Sequence, residues 1–97
     1  MMYMILSEMN DTLLPTDPAE RGKLMMPIME MVKKDLESGS LLMYGVSPGG
    51  NRGLLVTKGD PKEIYAKCSM AIPYVKFEVV PLLEIDEVFE AMKGMQK

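Results

Sequence analysis

The sequence predicts an α+β domain in which a four-stranded antiparallel sheet carries both main helices on one face. Three observations predict it: four apolar runs of strand length, two Asp-Pro helix starts set between them, and more apolar residues on the strands than two helices can shelter. The first run, Met2–Met9, is almost wholly apolar and too short for a helix, so it reads as a strand buried on both faces. Asn10–Thr16 is loop-like, and Asp17-Pro18-Ala19-Glu20 then supplies a capping aspartate, a proline at the first helical position and a glutamate three residues after the cap. Leu24, Ile28, Met31, Val32 and Leu36 recur at helical spacing as the buried stripe, with Glu30, Lys33, Lys34 and Glu37 on the wet side and Ser38-Gly39 as the stop. Pro27 conflicts with this helix and predicts either a kink or a short first turn followed by a helix restarting at Pro27.

Leu41–Val46 and Leu54–Lys58 are the second and third strands, joined as a hairpin by the turn-rich Ser47-Pro48-Gly49-Gly50-Asn51-Arg52-Gly53. Strict alternation on the second strand sets Leu41 and Met43 against Leu42, Tyr44 and Val46. Asp60-Pro61-Lys62-Glu63 repeats the start signal, and Ile64, Cys68 and Ala71 or Ile72 continue one face of a short helix ending before Pro73. Val75–Leu82 is the fourth strand, with Val75, Phe77 and Val79 on one side, Lys76, Glu78 and Val80 on the other, and Pro81 near its end. Ile85, Val88, Phe89 and Met92 define a terminal helix for which Gly94 is the expected stop.

Composition narrows the functional classes. At 97 residues the chain fits one domain, residues 1–97. A net charge of −3 supplies no basic field for nucleic acid or for an anionic membrane surface. The single Cys68 permits no intrachain disulfide, Met1–Leu6 lacks the basic flank and cleavage site of a signal peptide, and no run reaches the length of a membrane span, so a cytoplasmic location is expected. The chain has no histidine, which removes the side chain most often used as general base or metal ligand near neutral pH. Twelve methionines stand out, with Met25, Met26, Met29 and Met31 clustered on the first helix. Adaptable core filling accounts for them, since no thiolate or imidazole completes a soft-metal set; no cofactor is expected. Cys68 shares a stripe with Ile64 and Ala71 and reads as a small buried hydrophobe.

The order β, α, β, β, α, β with a short terminal helix suits a ferredoxin-like split βαβ domain. One helical layer leaves the second face of the sheet bare, which predicts a two-fold homodimer closed through that face. Partial cover by the terminal helix is the competing account. The layout, and most specifically Ile72-Pro73-Tyr74-Val75-Lys76-Phe77-Glu78-Val79-Val80-Pro81-Leu82, resembles the dimeric α/β-barrel superfamily and its muconolactone-isomerase-like and related uncharacterised small proteins. The resemblance implies a cavity between paired sheets. It implies no single reaction, because isomerases, cofactor-free monooxygenases, dismutases and non-catalytic binders share the fold.

Five residues are candidates for a site in that cavity. Glu78 and Glu8 alternate with apolar neighbours, so desolvation could poise either as a proton-abstracting base. Tyr44 is the candidate hydrogen-bond donor, and Arg52, beside Gly49, Gly50 and Gly53, together with Lys76, is the candidate ligand for a carboxylate. The bland alternatives are that Lys76 and Glu78 form a wet rim or a seam between subunits, and that the glycine-rich segment is only a turn. Two functions from different classes follow: a dimeric module binding a small ligand between its sheets, or a cofactor-independent enzyme of isomerase or monooxygenase type acting on a small apolar or carboxylate-bearing metabolite.

Overall fold

The computed structural model describes residues 1–95. In chain order the elements are β1 (Met2–Met9), α1 (Pro18–Ser38), β2 (Leu41–Val46), β3 (Arg52–Lys58), α2 (Pro61–Ser69), β4 (Val75–Leu82) and α3 (Ile85–Met95). The strands form one antiparallel sheet in the order β2-β3-β1-β4, an α+β arrangement that fits a ferredoxin-like fold. β1 is central, hydrogen-bonded to β3 along one edge and to β4 along the other.

Both helix starts form as the local chemistry dictates. The Asp17 carboxylate accepts from the Ala19 N–H at 3.4 Å, and that of Asp60 accepts from the Lys62 N–H at 2.9 Å, each with proline in the first turn. Gly39, at φ 83°, ends α1 with its N–H donating to the Leu36 carbonyl. Pro27 neither splits nor restarts α1, which runs unbroken from Pro18 to Ser38. Pro27 and Lys23 both lie on the exposed side, so the Lys23 carbonyl that loses its helical donor is not shut away from solvent. The expected stop at Gly94 is likewise overturned: α3 continues to Met95, and Gly94 does not adopt a left-handed conformation.

Register divides the sheet into two faces. Tyr3, Ile5, Leu55 and Phe77 face the helices and, with Ile64 and Cys68 of α2, make the core. Met4, Leu6, Leu54, Val56 and Val80 face the other way, together with Glu8, Arg52, Lys76 and Glu78. On β2 strict alternation fails. A register shift between Leu41 and Met43 sets Leu41 opposite Thr57 and Tyr44 opposite Leu55, so both share the helix side. β4 is an edge strand, and Pro81 lies within it opposite Tyr3.

Among the described residues no helix covers the second face. α3 begins at the Lys58–Glu84 ion pair (2.7 Å) and extends away, leaving Ile85, Phe89 and Met92 66, 55 and 50 % exposed. The molecule accordingly measures 60 × 26 × 25 Å. Among the described residues no helix is long and apolar enough to cross a membrane.

Gly53 is required by close approach rather than by backbone angle. A Cβ there would stand 2.6 Å from Ser7 Oγ and 3.3 Å from the Gly45 carbonyl oxygen. Gly53→Ala is expected to lower stability by about 1–3 kcal/mol, with Ser7→Ala in the same chain restoring part of the loss, as read by urea denaturation. Unchanged stability in the single variant would show that the strands are not this close.

Candidate functional site

The register separates the five candidate residues. Glu8 lies opposite Arg52 on β3 and opposite Lys76 on β4, while Glu78 lies opposite Leu6, so these four form one mixed-sign cluster at an end of the open face. None of the four makes an ion pair within 4 Å among the described residues. Tyr44 is not among them. The β2 register shift turns it to the helix side, where its hydroxyl donates to Met29 Sδ of α1 at 3.5 Å. A donor and a base acting on one molecule must share one space, and the sheet stands between Tyr44 and the two glutamates.

The helix side holds a cavity of about 550 Å³, half open to solvent. Its floor is Ile5, Leu55 and Phe77 of the sheet; its roof is Met25, Ile28 and Met29 of α1, with Ile64 and Cys68 of α2 at one wall. The cavity exists because α1, although 21 residues long, presents its apolar stripe without burying any residue of it. Leu24, Ile28, Met31 and Val32 are half-buried and Leu36 is exposed. The clustered methionines thus line space as well as fill it.

The two ends of this cavity differ in polarity. At one, Lys67 Nζ donates to Asp35 Oδ2 at 3.1 Å, a closed ion pair between α2 and α1. At the other stand Arg21 and the hairpin segment Gly49, Gly50 and Asn51, with Arg52 bordering the cavity from a strand position whose side chain the register assigns to the open face. The hairpin is held there by the Met9 N–H donating to the Asn51 carbonyl and the Ser47 N–H donating to the Arg52 carbonyl. Arg21 Nε donates to the Pro15 carbonyl at 3.1 Å, and its guanidinium lies 3.6 Å from the exposed Asp11 carboxylate. Burial pushes the Cys68 thiol up, so it stays protonated at neutral pH. Among the described residues no three histidine, cysteine, aspartate or glutamate side chains come together as a metal set.

Arg21, Met29 and the Asp35–Lys67 pair were not legible as site residues. Arg21 carried only the signal of a first-turn position after a cap, and Asp35 and Lys67 are 32 residues apart in sequence. Compared with known proteins, the chain matches no family model and no curated relative.

At the base of α3, the hydrogen bond and charge of Lys58 hold the Glu84 carboxyl below its ordinary value. A lowered folded-state value means this contact stabilises the fold at neutral pH, and the contribution is lost as pH falls from the ordinary glutamate range through the lowered one. Lys58→Gln is expected to return Glu84 to the ordinary range, as followed by carboxyl NMR titration. An unmoved titration would show that the ion pair is not populated.

Proposed function

We propose that the chain is a self-pairing module in which two copies stack their open sheet faces as a dimeric α/β barrel and enclose a chamber for a small ligand. The observation that carries this reading is the apolar band of Met4, Leu6, Leu54, Val56 and Val80 across the face of the sheet opposite the two main helices, with Leu6 exposed and the other four half-buried. Two bulk quantities support it. The accessible surface is 7115 Å², against about 5,600 Å² for a compact monomer of this mass. The radius of gyration is 16.2 Å, against about 12.5 Å for a compact domain of this length. An excess of about 1,500 Å² exceeds the roughly 800 Å² that each partner gives up in a standard interface and is in the range of obligate dimers.

The charges fit the same assembly. Glu8 and Glu78 with Arg52 and Lys76 make a cluster of both signs at the edge of the band, a self-complementary rim for a two-fold contact. The bare stripe of α3 lies against the partner copy in this arrangement. The alternative, a cofactor-independent enzyme with Glu8 or Glu78 as base, is the lesser reading because Tyr44, its candidate donor, stands across the sheet from both.

Light scattering on the size-fractionated chain is expected to give twice the 10.9 kDa chain mass. Leu6→Lys and Val56→Lys are each expected to yield monomer, whereas Lys33→Glu on the outer face of α1 should not. A parent chain that runs as a monomer at about 50 μM, well above a micromolar Kd, would overturn the proposal.

A further inference from the structure

We infer that the helix-side cavity is a ligand site in its own right, complete within one chain, that takes an uncharged and mostly apolar molecule carrying a hydrogen-bond acceptor, such as a ketone. Its volume of about 550 Å³ lies within the 300–1,000 Å³ of small-molecule sites. Ile5, Leu55 and Phe77 below and Met25, Ile28 and Met29 above give it an apolar lining, and the thioethers adapt to the outline of a hydrocarbon rather than select one shape.

Two properties fix the class of ligand. The first is that no unpaired charge faces the cavity among the described residues. The Asp35–Lys67 pair is closed at 3.1 Å. Arg21 contacts Asp11 at 3.6 Å and donates to the Pro15 carbonyl, and the register turns the Arg52 side chain to the open face beside Glu8. Burial keeps the Cys68 thiol protonated. An ion of either sign would leave water for walls that hold no free opposite charge, which opposes its entry. The second property is the hydroxyl of Tyr44. It is half-buried on the helix side, and its partner is Met29 Sδ at 3.5 Å. A thioether is a weak acceptor, whereas a tyrosine hydroxyl in an apolar setting is ordinarily well paired. Thr57 by contrast is satisfied by the Ser40 carbonyl at 2.7 Å, and Ser7 Oγ lies low in the floor against Gly53. A carbonyl oxygen seated beside Tyr44 replaces this weak contact with a stronger one, while the apolar remainder of the ligand packs between the sheet and the methionines.

This site does not rest on self-pairing, since the residues named come from one chain and the sheet lies between them and the open face. The test titrates the full chain into butyrophenone and into butylbenzene, which differ by a carbonyl in place of a methylene, and reads affinity and stoichiometry by calorimetry. One molecule of either per chain is expected. Tyr44→Phe should weaken the ketone about five-fold, the contribution of one neutral hydrogen bond, and leave butylbenzene unchanged, which also shows that the variant keeps its fold. Met29→Leu, which removes the sulfur and keeps the apolar volume, should hold the ketone at least as tightly as the parent. Phenylbutyrate and phenyltrimethylammonium should each bind at least about ten-fold more weakly than the ketone. Absence of saturable ketone binding would overturn the proposal, as would an unchanged ketone affinity or an equal loss of both ligands in Tyr44→Phe, a weaker ketone in Met29→Leu, or an ion bound as tightly as the ketone. So would one ligand per two chains that is lost in Leu6→Lys, because that pattern belongs to a chamber between sheets.

Discussion

Strand β1 is the constraint on which the rest depends. It is hydrogen-bonded along both edges, so its alternate residues are committed to the two faces of the sheet, Tyr3 and Ile5 to the helices and Met4 and Leu6 to the opposite side. Neither set can turn away without breaking two ladders at once. α1 and α2 lie over one set, and among the described residues no helix lies over the other. The bare face, the projecting α3 and the large accessible surface are consequences of that single imbalance.

The sheltered side is itself thinly packed. Among the described residues seven hydrophobic side chains are buried, Tyr3, Ile5 and Ile64 among them, and none is fully enclosed. Burying one large aliphatic side chain is worth about 1.5–3 kcal/mol, so a chain with so few of them gains from any partner or ligand that completes a layer. The roof of half-buried methionines and the open face thus express one property at two places. Each is an unfilled layer, one narrow enough for a small molecule and the other broad enough for a second sheet.

Much of this was written locally in the sequence. The two Asp-Pro starts, the Gly39 stop and the apolar runs depend on neighbours a few residues away, and the element order follows from them. What escaped depended on distant partners. Tyr44 changes face because β2 slips against β3 between Leu41 and Met43, and no pattern within Leu41–Val46 announces a slip. Arg52 belongs to β3 rather than to the turn because Glu8, far back in the chain, supplies its ladder partner. Pro27 is tolerated because its side of α1 faces water, which depends on where the sheet lies. The cavity is the extreme case, since an absence of contact leaves no mark on periodicity.

The outer rims of the sheet carry a further consequence. β2 and β4 are the two strands whose far edges stay unpaired, and neither is an inviting template for another strand. β2 is interrupted by its slipped register, and β4 contains a proline with no N–H to offer and the charged Lys76 and Glu78. Lateral growth into ribbons or fibrils is discouraged at both borders, which leaves the broad face of the sheet, and not its rims, as the surface that the proposed pairing would use.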